Sequence, residues 1–123
     1  MGAKHHRELR VYQLAFESAT EVHFLTVEFP AEERYSLTDQ IRRSSRSVCA
    51  NISEAWRKRR YVKSFVSKLS DADAEATEVQ VWLEFAQRFG YINAQAHEKL
   101  TDQYDHICRQ LAIMMGQPEK WSN

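Results

Sequence analysis

Between Phe65 and Ala86, the apolar residues Phe65, Leu69, Ala72, Ala76, Val79, Leu83 and Ala86 recur in alternating steps of four and three. That spacing returns a side chain to the same side of an α-helix; a half-buried β-strand would need a period of two. A stripe of this length is the seam of a left-handed helical bundle, and its alanines let a neighbouring helix approach closely. The rest of the chain agrees with this reading. Only 3 Gly and 2 Pro occur in 123 residues, too few to supply the turns of an all-β sandwich. A hydrophobic content of 43% and a balance of 17 Lys+Arg against 17 Asp+Glu exclude a disordered polyelectrolyte.

Pro30 and the pair Gly116 and Pro118 are hard stops, Gly90 suits a C-terminal cap, and Ser36 and Asn93 suit N-caps. These marks predict helices near residues 8–28, 36–57, 61–89 and 94–115. Short connections make sequence neighbours pack antiparallel, so the expected fold is all-α, an up-down-up-down four-helix bundle forming a single domain over 1–123. Leu100, Tyr104, Ile107, Leu111 and Met114 supply the fourth stripe; Tyr12, Ala15, Ala19 and Val22, widened by Phe16 and Leu25, supply the first. The second, Leu37, Ile41, Val48, Ile52 and Ala55, is interrupted by Ser44. No apolar run reaches the ~18 residues of a membrane span, and the N-terminal stretch lacks a signal-peptide core, so a soluble cytoplasmic protein is expected. Cys49 and Cys108 read as buried reduced thiols.

Beside the core of the second helix, Gln40, Ser44, Ser47, Asn51 and Glu54 also step by four and three. This polar line lies just outside the apolar arc and admits two readings: hydrogen-bonding groups that fix helix register or a subunit contact, or an ordinary solvated flank. The surrounding stretch FPAEERYSLTDQIRRSSRSVCANISEAWRK, residues 29–58, resembles a family of small bacterial four-helix bundle proteins, including those encoded in intervening sequences of 23S ribosomal RNA genes. The likeness rests on Phe-Pro, Tyr-x-Leu, Gln-Ile-Arg-Arg and Asn-Ile-x-Glu, with Leu9, Val11 and Tyr12 before them and Phe65, Leu69, Ala72, Glu78, Leu83 and Gly90-Tyr91-Ile92 after. Two departures stand at Ala55 and at Ala74-Glu75, where family members carry Gly and a Gly-Ser pair. The resemblance implies a homopentamer without enzyme activity, and structural duties for Gln40, Asn51, Glu54 and Glu78. A relative in fold, the accessory variability protein of diversity-generating retroelements, works with a reverse transcriptase and nucleic acid, which bears on this chain by analogy alone.

The zero net charge conceals a segregation. Residues 42–68 hold nine Lys or Arg against Glu54 alone. Arg42, Arg43, Arg46 and Arg57 lie opposite the core face of the second helix, and Arg57, Lys58, Arg59, Arg60 and Lys63 cluster at the predicted hairpin tip between Trp56 and Tyr61. Basic side chains flanked by aromatics suit phosphate neutralisation with stacking of an unpaired base, which makes Arg57–Arg60 and Lys63, with Arg42 and Arg46 behind them, the candidate contacts for structured RNA or DNA. The competing expectation is internal neutralisation: an antiparallel hairpin centred near residue 59 brings Asp71 level with Ser47 and Glu75 level with Arg43, covering Arg46 and Arg43.

Trp82, Phe85 and Phe89 recur on the third helix off its main seam. They suit either a widened core or an oligomer interface, and the family resemblance favours the interface. No phosphate loop, HExxH motif, EF-hand or nucleophile elbow occurs, and His5, His6, His23, His97 and His106 are scattered, so neither a metal nor a cofactor is expected. Glu54 and Glu78 are raw material for a carboxylate pair, but the Glu-x-x-His motif of di-iron bundles is missing. Two functions remain: a non-enzymatic oligomeric bundle binding nucleic acid through its basic hairpin, or a protein-interaction scaffold that binds none.

Overall fold

The computed structural model describes residues 2–122. Its four α-helices are α1 (Arg10–Thr26), α2 (Leu37–Arg57), α3 (Val62–Arg88) and α4 (Ala94–Gly116), with single 3-10 turns at His6–Glu8, Ala31–Glu33 and Pro118–Lys120 and no strand among the described residues. Every helix end falls within two residues of its expected position. The helix order is antiparallel throughout. Thr26 meets Arg42 and His23 meets Arg46 between α1 and α2; Ser47 meets Glu75 and Glu54 meets Lys68 between α2 and α3. Ser18 meets Gln103 and Glu21 meets Lys99 between α1 and α4. Both α1 and α3 pack on α2 and on α4, so α1 and α3 take opposite corners of the bundle.

The α3 seam is buried as its spacing predicts, Phe65 through Ala86 all at 0% exposure, and α4 follows with Leu100, Tyr104, Ile107, Leu111 and Met114. Removing these faces from water drives folding, at roughly 25 cal/mol per Å² of apolar surface. The first helix departs from expectation. Its buried line is Val11, Ala15, Ser18, Val22 and Thr26, while Tyr12, Ala19 and Leu25 are half-buried and Phe16 is exposed. The rotation is possible because both hydroxyls have partners inside. Ser18 accepts from Gln103 Nε2 at 3.0 Å, and Thr26 donates to the His23 carbonyl at 2.9 Å. Ser44 likewise does not interrupt α2: it is fully buried, donating to the Gln40 carbonyl at 2.8 Å. A hydroxyl bonded to the preceding helical turn behaves as a small core residue.

Both thiols are free. Burial pushes the Cys49 thiol up to about 11 and, with Asp73 beside it, the half-buried Cys108 thiol up to about 12. Neither forms a reactive thiolate near neutral pH.

The helix ends show which caps operate. Asn93 accepts the Ala96 N–H at 2.8 Å as a side-chain cap. Ser36 does not cap α2 itself; its hydroxyl donates to Glu33 Oε1 at 2.6 Å, and that carboxylate oxygen accepts the Leu37 N–H at 3.3 Å. At the end of α3, Tyr91 N–H reaches the Ala86 carbonyl at 2.8 Å and Gly90 N–H the Gln87 carbonyl at 3.0 Å, with Gly90 at φ +80°. This paired closure needs a left-handed residue, which only glycine adopts without a Cβ penalty. A Cβ at Gly90 meets nothing within 4 Å, so the cost of adding one is conformational. Gly90→Ala should destabilise the fold by about 1–2 kcal/mol, lowering the urea midpoint, and Gly90→Asn should lose less.

Candidate functional site

The polar line on α2 lies along the α2/α3 seam. Ser47 donates to Glu75 Oε2 at 3.0 Å, Asn51 Nδ2 donates back to the Ser47 carbonyl at 3.0 Å and hydroxyl at 3.1 Å, and Arg43 reaches Glu78 at 2.7 Å and Glu75 at 3.4 Å. Gln40 accepts from Arg43 at 3.5 Å, and Glu54 pairs with Lys68 at 3.5 Å. With Arg43 half-exposed, each pair contributes about 0–1 kcal/mol, so the set specifies register more than it adds stability. Glu54 and Glu78 are not a carboxylate pair: their partners Lys68 and Arg43 lie at opposite ends of the seam. Residues 68 and 78 on α3 are separated by about 15 Å along the axis.

This seam decides which basic residues remain at the surface. Arg43 is neutralised, as the hairpin register predicts. Asp71 does not serve Arg46. That arginine turns to α1 and donates to His23 Nδ1 at 3.3 Å, while Arg42 donates to Thr26 Oγ1 at 2.8 Å. Arg42 and Arg46 therefore sit beside the α1/α2 groove. Arg46 is about 16 Å along the helix from Arg57, outside the patch at the tip.

At the tip, Arg57, Lys58, Arg60 and Lys63 are exposed. Arg59 is different. Its guanidinium lies over the Trp56 ring at 4.0 Å and donates to the Trp56 carbonyl at 2.8 Å. Trp56 itself is 5% exposed. The two aromatics that flank the cluster in sequence differ: Trp56 belongs to the core beneath Arg59, and Tyr61, 68% exposed, faces solvent.

The antiparallel order adds residues that counting along the chain assigns elsewhere. The turn at His6–Glu8 packs on α2, and the α1/α2 register sets Arg10 level with Lys58. Lys4, Arg7 and Arg10 therefore join the hairpin tip, although residues 1–41 are acidic in sum. Among the described residues, this end (2–13, 54–66 and 110–122) carries nine Lys or Arg against three Asp or Glu. The opposite end (21–42 and 82–101) carries four against seven. A bundle of zero net charge is thus strongly polarised along its axis, which orients an approaching polyanion.

Among the apolar surfaces that the described residues leave uncovered, two carry several exposed aromatic rings. On α3, Trp82, Phe85 and Phe89 form a ladder with centroids 6.2 and 5.8 Å apart, continued by Tyr91 at 5.7 Å. Phe85 is 45% and Phe89 54% exposed, so these two rings do not widen the core; half-buried Trp82 packs against the core and donates to Glu78 at 3.3 Å. Tyr91 donates to Glu33 Oε2 at 2.8 Å. Hydrogen bonds from Ser36 and then Tyr91 hold the Glu33 carboxyl below its ordinary range. The second surface, between α1 and α2, is lined by Tyr12, Phe16, Phe24, His23, Arg46 and Cys49. It was missed in the sequence because Phe16 reads there as core.

Among the described residues, no group of three or more His, Cys, Asp or Glu converges to hold a metal ion, and no helix is long and apolar enough to cross a membrane.

The sequence model of the 23S rRNA-intervening sequence protein family matches residues 7–112. No match was found among curated proteins. The chain is similar to the crystal structure of a protein of unknown function from the S23 ribosomal protein family of Bacteroides thetaiotaomicron, with 27% identity and a TM-score of 0.77. The alignment covers 86% of this chain and 95% of that one.

Proposed function

This chain belongs to the 23S rRNA-intervening sequence protein family, and from that premise we propose that it is a non-catalytic, cytoplasmic, self-associating bundle that binds structured RNA or another nucleic acid through its basic end. The single observation carrying this reading is the charge polarity of the bundle: Arg57, Lys58, Arg60 and Lys63 are exposed, with Lys4, Arg7 and Arg10 at the same end. Arg43, neutralised by Glu75 and Glu78 across the seam, lies away from that end, and Lys68 is the other basic residue paired across it. Polyanion binding of this kind proceeds by release of counterions and weakens steeply with salt.

Self-association rests on a separate observation, the ladder of Trp82, Phe85 and Phe89, whose exposed area calls for a cover. The sequence resemblance favours a homopentameric ring. A ring repeats the basic end around its axis and raises the apparent affinity for any RNA long enough to span neighbouring copies. The same ladder also favours the second reading, a scaffold whose partner is another protein.

Fluorescence anisotropy against a structured RNA and a matched duplex DNA, at two salt concentrations, separates the readings. Micromolar or tighter binding that weakens with salt and is lost in Arg57→Glu, Arg60→Glu is the expected result. Absence of binding at low salt leaves the scaffold. Arg59 is a poor choice for this reversal, since its bonds to Trp56 tie it to the fold. For the assembly, Trp82→Ala should lower the mass seen in light scattering. A variant that keeps its mass but loses thermal stability would assign Trp82 to the protomer's own packing.

A further inference from the structure

We infer that Tyr61 is a stacking platform for an unpaired base, so that the ligand of the basic end is a nucleic acid with a single-stranded stretch, such as a loop, bulge or free end, rather than a continuous duplex. The inference rests on the nucleic-acid reading above and narrows it.

Tyr61 occupies the turn between α2 and α3, immediately after Arg60 and two residues before Lys63. Its backbone is held on both sides: its N–H donates to the Lys58 carbonyl at 2.9 Å, and its carbonyl accepts the Phe65 N–H at 2.8 Å. The ring therefore projects from a fixed root, yet it is 68% exposed. Among the described residues no aromatic ring stacks on it. The neighbouring aromatic shows the contrast, because the face of Trp56 is already filled by the Arg59 guanidinium at 4.0 Å.

A second exposed tyrosine sets the comparison. Tyr35 is 86% exposed but lies at the opposite end, with the Arg34 guanidinium over its ring at 6.0 Å and three acids, Glu32, Glu33 and Asp39, close in sequence. That field repels a phosphate backbone. Of these two tyrosines, Tyr61 is the one that combines an open ring face with cations within reach of the phosphates on either side of a stacked base. Duplex bases are stacked on one another and present no face to such a ring, whereas unpaired bases do. Phosphate contacts alone would serve both forms equally.

The test measures the affinity of a single-stranded RNA and of an RNA duplex of equal phosphate number for four proteins: wild type, Tyr61→Ala, Tyr61→Phe and Tyr35→Ala. Stacking of one base is worth about 1–3 kcal/mol, so Tyr61→Ala should weaken single-strand binding by roughly 5-fold to 150-fold at constant salt slope. Duplex binding should hardly change, Tyr61→Phe should retain the wild-type preference, and Tyr35→Ala should match wild type. A 2-aminopurine base in the single strand should be quenched by wild type and not by Tyr61→Ala. Equal weakening of both RNAs by Tyr61→Ala, or of neither, overturns the stacking role; phosphate contact then still stands if Arg57→Glu, Arg60→Glu abolishes binding. Failure of the wild type to bind either RNA overturns both readings.

Discussion

The close packing of α3 against its two neighbours is the constraint on which the rest depends. Its alanines alternate with Phe65, Leu69, Val79 and Leu83, and every one is removed from water. That packing fixes the height of α3 relative to α2, and the polar seam then tolerates one register: Glu54 opposite Lys68, Ser47 opposite Glu75, Arg43 opposite Glu78. A shift of one helical turn would separate all three. Apolar burial supplies the energy and the polar pairs choose among packings that burial alone leaves close in energy. The choice has an outcome beyond stability, since it assigns Glu75 and Glu78 to Arg43 while Arg57, Lys58, Arg60 and Lys63 stay exposed.

The surface follows from this arrangement. Antiparallel order gathers the start of α1, the α2/α3 turn and the end of α4 at one end of the bundle. Charges distant in sequence become neighbours there, and the remaining acids are left along the sides and at the other end. Coulomb forces fall off over about 10 Å at moderate salt, so bringing Lys4, Arg7 and Arg10 to the height of the hairpin tip determines whether they act with it. The Trp82 to Phe89 ladder lies away from this end, which separates self-association from anion contact.

Much of this was legible in the sequence. Helix positions, the α3 and α4 seams, the Gly90 and Asn93 caps and the pairing of Arg43 with Glu75 all follow from spacing. What was not legible depended on hydrogen-bond partners that an apolar periodicity does not register. Ser18, Thr26 and Ser44 look polar to a periodicity, and they are buried because a particular carbonyl or amide stands in reach. Their burial turns α1 on its axis and exposes Phe16. Arg46 was matched to Asp71 by height alone, yet its side chain leaves α2 toward His23 on the other flank. Trp56 and Tyr61 are symmetric about the basic run in sequence and opposite in fate, because α2 still turns at residue 56 and carries that ring inward, whereas residue 61 lies in the turn.

The central claim is that the basic end is where nucleic acid touches this bundle. Ultraviolet crosslinking of the full chain to 4-thiouridine-containing RNA, with the crosslinked peptides mapped by mass spectrometry, tests it most directly. Crosslinks concentrated in residues 4–10 and 57–63 are the predicted result. Crosslinks concentrated on the Trp82 to Phe89 ladder, on the α1/α2 groove or at the acidic end would contradict it.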